Sequence, residues 1–349
     1  MAPASSVAFN ITAVSRIKIP PHQNVYIFSR ILRIVISLKQ NVCRKWLIMG
    51  KIITANKIME AFLMTALTKL TDTYTLNNGT KIPIVGFGTW QTPDGQVAYD
   101  SVLAALKAGY RHIDTAAAYG NEESVGKAIA DSGVAREDLF VTTKLWNADH
   151  GYEAAKQALD TSLEKLGLDY VDLYLIHWPN PAAMRDNWEQ LNADTWRAME
   201  EAYTARKARA IGVSNFRPKH LDALLKTAKV VPAVNQIFLN PSDMQDEVVA
   251  YNREHGILSE AYSPLGTGKI FSIPELKDLA DKYGKSVAQV VLRWSLQHDF
   301  LPLPKSVHAD RIQQNTELFD FEISDEDMKV IDGFHGVAGL ANDPDKVNF

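Results

Sequence analysis

The sequence predicts an α/β chain closed into a (β/α)8 TIM barrel, with an N-terminal β-hairpin capping the barrel bottom and an extra C-terminal helix and tail. Three observations carry this. Between Val85 and Asn315, eight short apolar runs are each followed by a helical pattern, which suits a closed barrel better than a doubly wound sheet of five or six strands. Three consecutive runs end in an ionisable residue, Asp114, Lys144 and His177, so one face of one sheet would receive all three. Ahead of the first run, Asn77-Asn-Gly79 is a turn signal between two short strands, and Gly79 can take positive φ.

Each element has its own signal. Strands over 72–76 and 80–83 form the hairpin, and 84–88 is the first barrel strand. A helix over 95–108 is stopped by Gly109, and after the strand 112–114 a helix capped by Asn121 runs to Gly133. The unit then repeats as strand 140–144 with helix 152–166, strand 171–177 with helix 194–207, and strand 210–213 with helix 218–228. Strand 233–236 precedes helix 244–254, strand 257–261 precedes helices near 273–283 and 286–296, and strand 300–303 precedes helix 308–315. Ser324 caps a last helix over 325–332, whose first turn carries Glu326 and Asp327 where the helix dipole favours acids. The aperiodic tail 333–349 is free to lie over the barrel mouth and complete a substrate pocket.

Residues 1–70 read differently, as an N-terminal extension to a barrel domain over 71–349. Residues 1–60 carry nine Lys or Arg and one acid, Glu60, which leaves 28 basic against 40 acidic residues in the body. So acidic a body lacks the clustered cations that phosphate backbones require, and nucleic-acid binding is not expected. In the extension Arg30 and Arg33 interrupt the apolar run 25–38, too short for the ~20 residues of a bilayer crossing. An organelle-targeting leader, an amphipathic helix on an anionic membrane, and an appendage upstream of Met49, Met59 or Met64 all suit it; the appendage is favoured, and membrane contact is confined to 1–60. The single Cys43 excludes an internal disulfide framework and fits a reducing compartment; a cytoplasmic monomer is expected.

A barrel carries its chemistry at the C-terminal strand ends, here Asp114, Lys144, His177, Ser214, Asn215, Gln236 and Tyr262, with Lys305 and Ser306 just beyond the last strand. Only one histidine stands among them, so no metal site is expected. The set suits proton transfer to a carbonyl oxygen while a hydride reaches its carbon. Tyr119 would give the proton, Lys144 would lower its pKa from about 10, and Asp114 would keep Lys144 charged and aimed. His177 would donate a hydrogen bond to the developing oxyanion. No side chain supplies a hydride, so a nicotinamide cofactor is implied, with Tyr262 offering a ring face and Ser214, Asn215 and Gln236 reading its carboxamide. Taken singly each residue has a plainer role: Tyr119 in surface packing, Asp114 and Lys144 as a structural ion pair, His177 as a loop anchor. Their joint placement favours a site, and Trp90, Trp146 and Trp178, each just past a strand, would wall its substrate pocket.

The ordered stretches Gly86-Phe-Gly-Thr-Trp90, Gly109 to Glu122, Thr143-Lys-Leu-Trp146, Leu173 to Pro179, Ile211 to Phe216, Val234-Asn-Gln-Ile237, Ala261 to Gly266 and Leu303-Pro-Lys-Ser306 resemble the aldo-keto reductase family over residues 72–349. The resemblance implies Asp114, Tyr119, Lys144 and His177 as the catalytic four, with Tyr119 as general acid in reduction. It implies a cofactor extended across the strand ends against Thr89, Trp90, Ser214, Asn215, Gln236, Tyr262 and Leu265. Lys305, Ser306 and Arg311 stand where NADPH-preferring members grip the 2′-phosphate, and Asn315 where adenine is touched, so NADPH is expected over NADH. Phe238 and Asn240 replace the Glu and His common after strand 6, and Gln314 replaces a common acid. The short loops are similar to microbial diketogluconate and glyoxal reductases, which implies a small aldehyde, ketone or α-dicarbonyl as substrate. An alcohol or polyol dehydrogenase working in reverse and a silent cofactor-binding relative are the competing functions.

Overall fold

A computed structural model of the protein describes residues 67–349, and Leu67–Phe349 form one compact unit. The extension up to Ala66, with Arg30, Arg33 and Cys43, lies outside the described residues. The hairpin pairs β1 (Thr73–Thr75) with β2 (Lys81–Pro83) in antiparallel register around Gly79 at φ 86°. Eight parallel strands complete one sheet: β3 (Phe87–Gly88), β4 (His112–Asp114), β5 (Phe140–Leu145), β6 (Val171–Ile176), β7 (Ala208–Ser214), β8 (Val234–Phe238), β9 (Leu258–Tyr262) and β10 (Leu301–Leu303). Their spatial order is their chain order. Gly86 N and Gly88 N donate to Pro302 O and Pro304 O at 3.1 Å, which joins the first strand to the last and closes the barrel.

The outer ring comprises α1 (Gln96–Lys107), α2 (Glu122–Asp131), α3 (Tyr152–Leu166), α4 (Trp188–Thr204), α5 (Pro218–Leu225), α6 (Asp246–Glu254), α7 (Pro274–Tyr283), α8 (Val287–Gln297), α9 (Ala309–Gln314) and α10 (Asp325–Asp332). At α10 the Ser324 hydroxyl accepts from Asp327 N at 3.2 Å, the cap the sequence announces. Asn121 does not cap α2. Its side chain turns inward, donating to Thr89 O and Thr92 O and accepting from Thr115 Oγ1, and so ties the loops after β3 and β4 together. The helix expected over 194–207 runs instead over 188–204. Two polar residues on its inner face hide the period: Asn192 donates to Pro179 O at 2.7 Å, and Thr195 accepts from Gly151 N at 2.8 Å. Its end is set by Arg206 in the left-handed conformation, φ 61°, usually a glycine's place.

Side chains alternate in and out of the barrel along every strand. On β6, Leu173 and Leu175 face the interior with Leu76 and Ile82 of the hairpin, while Tyr174 and Ile176 pack under the helices. Asn77 and Asn78 donate to Pro232 O and Arg209 O, seating the hairpin against the segment before β8 and the start of β7. The N-terminal end of the barrel is thereby an apolar plug, and polar chemistry is left to the other end.

Gly126 on α2 marks a close helix contact: a Cβ there would stand 2.2 Å from Leu166 O, at the end of α3. Backbone cannot yield as a side-chain tip does, so Gly126→Ala is expected to destabilise the fold by about 1–3 kcal/mol through overpacking. Thermal denaturation followed by circular dichroism checks this, and an unchanged Tm would contradict it.

Candidate active site

Alternation along the strands decides what faces the barrel axis. On β5, Phe140, Thr142 and Lys144 point inward, while Val141 and Leu145 face the helix layer and Thr143 donates outward to Glu122 at 2.6 Å. On β4 the inward pair is His112 and Asp114, with Ile113 outward. Lys144 is wholly buried, and its Nζ donates to Asp114 Oδ1, Asp114 Oδ2 and Thr115 O, each at 2.8 Å. The same nitrogen lies 3.3 Å from Tyr119 Oη, which a short 3-10 turn, Ala117–Tyr119, presents at the loop end of β4. His177 directly follows β6, and its ring sits 5.7 Å from that of Tyr119, edge to face. All four expected residues therefore meet at one end of the barrel.

The electrostatics of the cluster come from burial and pairing. Burial pulls the Lys144 ammonium down, but the Asp114 carboxylate and Tyr119 outweigh it and hold it above the ordinary lysine value. For Tyr119 the sign differs from the sequence expectation. Burial raises the phenol, Lys144 opposes that only in part, and the net direction is upward. Burial, and next the Lys144 charge, hold His177 well below its usual range, so its ring is neutral at physiological pH. Its Nδ1 is buried without a hydrogen-bond partner among the described residues.

Around this core Ser214 and Asn215 close β7. Asn215, at φ 63°, donates to His177 O at 3.0 Å and to Ser214 Oγ at 3.1 Å, and its Oδ1 accepts from Tyr262 Oη at 2.9 Å. This fixes the Tyr262 ring from its polar end, while Phe238 packs on it edge to face at 5.9 Å. Thr89 Oγ1 donates to Asp114 O, and Leu265 packs into the core. Gln236 is engaged differently from its expected place against a carboxamide. Its Nε2 donates to Asp114 Oδ2 at 2.8 Å and to Glu260 Oε2 at 2.7 Å, which leaves Oε1 as the atom able to face a ligand amide. Lys305, Ser306, Arg311 and Asn315 come after β10, and no hydrogen bond or ion pair joins them to the four core residues. Lys305 Nζ donates to Gln91 O at 3.2 Å, its ammonium is lowered by burial, and neither it nor Arg311 has an ion pair among the described residues.

Of the three indoles, Trp146 lies 5.3 Å from the His177 ring and stacks on Phe349 at 6.0 Å, while Trp178 meets Phe349 edge on at 5.2 Å. Trp90 is 45% exposed in the loop after β3. The tail reaches this rim through two sets of bonds. Ser242 and Asp243 bind Gly336, Ala338, Gly339 and Ala341, and farther on Asp345 is held by Asn180, Lys219 and His220.

Glu260 is the site residue that the sequence pattern does not single out. It stands on the inward face of β9 between Leu258 and Tyr262, and an acid at that step of a buried strand is the available signal. The periodicity that brings Lys144 into view applies there as well.

The sequence between residues 84 and 335 matches the aldo/keto reductase family. A glyoxal reductase of Bacillus subtilis (strain 168) is 49% identical over 282 residues, covering 81% of this chain and 99% of that protein. A 9,11-endoperoxide prostaglandin H2 reductase of Trypanosoma cruzi (strain CL Brener) is 44% identical, covering 78% of this chain and 94% of that one. Among solved structures, an aldo/keto reductase from Brucella melitensis is 48% identical with a TM-score of 0.71, covering 76% of this chain and 99% of its own. A Bombyx mori aldo-keto reductase in complex with NADP is 40% identical with a TM-score of 0.69, covering 76% and 93%. Barrel, strand-end cluster and relatives agree, and the chain belongs to the aldo/keto reductase family of oxidoreductases.

Proposed function

We propose that the protein reduces aldehydes, ketones or α-dicarbonyls to alcohols with NADPH, the proton coming from Tyr119. The observation that carries this reading is the Lys144 ammonium, chelated by both Asp114 oxygens and 3.3 Å from Tyr119 Oη. When bound, a nicotinamide supplies the hydride. Tyr119 keeps its proton at neutral pH because burial raises the phenol, and it releases that proton only to an oxygen that gains negative charge. Lys144, fixed by three oxygens, stabilises the phenolate so formed without moving. Neutral His177 donates a hydrogen bond to the same oxygen and, with Tyr119 and Trp146, sets where a carbonyl sits.

The residues present fit the cofactor. Ser214 Oγ, Asn215 Oδ1 and Gln236 Oε1 offer acceptors to a carboxamide NH2, their own hydrogens being engaged within the protein, and Tyr262 offers a ring held at its hydroxyl, with Thr89, Trp90 and Leu265 beside them. Lys305, Ser306 and Arg311 form a donor set, whose two cations lack carboxylate partners among the described residues, and Asn315 lies just beyond. That chemistry suits the 2′-phosphate of NADPH. The glyoxal reductase and prostaglandin reductase among the relatives, and the neighbour crystallised with NADP, support the same reading. For the substrate, a rim of Trp146, Trp178 and Phe349 favours a small carbonyl with a flat or apolar flank. We further propose a monomer acting in the cytoplasm.

Tyr119→Phe is expected to lower kcat by about 10²–10⁴-fold while leaving NADPH binding, read by fluorescence titration, unchanged. Near-normal turnover would contradict the general-acid role. Arg311→Ala is expected to weaken NADPH by about tenfold or more and to spare NADH, since one charge-assisted contact is lost. An equal loss for both cofactors would remove the phosphate assignment. The His177 ring signals in an NMR titration are expected to stay constant from about pH 5.5 to 8, and a midpoint near the usual 6.5 would overturn its neutral role.

A further inference from the structure

The polar layer of the barrel holds two buried carboxylates for one cation. Gln236 Nε2 bridges them with its two hydrogens, one to Asp114 at 2.8 Å and one to Glu260 at 2.7 Å. Lys144 Nζ is committed to Asp114, Thr115 O and Tyr119. Glu260 is fully buried, and its Oε1 has no hydrogen-bond partner among the described residues. His112 Nε2 stands 3.8 Å from it and is engaged with Thr142 Oγ1 at 2.9 Å. Burial, then Lys144, push His112 down to about 3, so this contact is not an ion pair. The groups facing Glu260 are thus His112 and Asp114 on β4, Tyr119 beyond β4, Lys144 on β5 and Gln236 on β8; its neighbour in register on β10 is Leu301. A single cation compensates a single carboxylate, and a second negative charge in this dry layer is disfavoured.

We propose that Glu260 is a positioning residue for the carbonyl reduction, holding Asp114 on Lys144 through Gln236 and carrying a proton whose loss changes the field at Tyr119. This rests on the function proposed above. Burial, then the Asp114 charge, push the Glu260 carboxyl up to about 8, so it is neutral when the reductase works at pH 7. Its Oε2 accepts from Gln236, which leaves Oε1 to carry the proton. The coupling has a definite sign. Ionised Glu260 adds negative charge near Tyr119 and Lys144, disfavours the phenolate and keeps the phenol protonated to higher pH. Reduction uses the phenol and its reverse uses the phenolate, so ionised Glu260 moves the alkaline fall of reduction and the onset of oxidation upward together.

Two variants of the full-length protein separate the parts. Glu260→Gln keeps an acceptor for Gln236 but cannot ionise. It should move both limbs to lower pH by roughly half a unit to one unit, less than the one to three units of a direct neighbour. Glu260→Asp keeps the charge but withdraws it from Gln236. It should lower kcat more than it changes KM, with Gln restoring the rate that Asp loses. Limbs that stay in place in Glu260→Gln would overturn the field effect, and an unchanged kcat in Glu260→Asp would overturn the positioning role. Infrared titration of the wild type needs neither variant nor turnover. A protonated-carboxyl band should fade as pH passes about 8, and its absence at pH 7 would overturn the proposal. If the wild type turns over no carbonyl, the proposed function fails while the infrared result still decides the state of Glu260.

Discussion

The structure turns on one buried ammonium. Lys144 Nζ has no access to solvent and is satisfied by both oxygens of Asp114 and by Thr115 O. Stripping an ammonium of water costs several kcal/mol, and only a well-placed carboxylate with further hydrogen bonds offsets that; removing one partner of such a pair costs about 3–5 kcal/mol. The pair forms because β4 and β5 are neighbours in parallel register, Asp114 opposite Thr142, and both strands turn the residues needed inward. The proton chemistry depends on this pair. In the proposed reaction the Lys144 ammonium, held charged by Asp114, stands at the hydroxyl of Tyr119, whose phenol burial raises.

The rest of the barrel can be understood as protection of that arrangement. At the N-terminal end, Leu76 and Ile82 of the hairpin join Phe140, Leu173, Leu175 and Leu301 in an apolar plug, so the polar layer opens only towards the loops. Asn121 and Asn215, both spent on backbone and neighbouring side chains, hold the loops after β3, β4 and β6 around it. The tail adds an outer wall, bringing Phe349 against Trp146 and Trp178. In the proposed function the strands hold the proton-transfer residues, whereas loops and tail form the rim around them.

Much of this was legible in the sequence because it rests on period and order. The helices over 152–166 and 325–332 appear with the bounds their apolar spacing implies, and the strand ends deliver Asp114, Lys144 and His177 to one place. The failures share a cause: each depends on where a polar side chain finds its partner. Asn121 looks like a cap but is claimed by Thr89 and Thr92, and the first turns of the helix over 188–204 are masked by Asn192 and Thr195, whose burial is satisfied by distant backbone. Lys144 was expected to leave Tyr119 more acidic, yet the balance between burial and charge is a property of the assembled site. Glu260 looks like one acid in a strand until the closed barrel brings it within 2.7 Å of the amide that also holds Asp114.

The central claim is that this cluster is a working carbonyl reductase and not an inert ion pair in a barrel. The most direct measurement tracks the loss of reduced-nicotinamide absorbance when the purified full-length protein meets methylglyoxal, with NADPH and NADH in parallel and the alcohol product identified. The account predicts stoichiometric cofactor oxidation and alcohol formation, faster with NADPH than with NADH at limiting cofactor. Tight cofactor binding without turnover of methylglyoxal, or of any other small aldehyde or ketone, would contradict it.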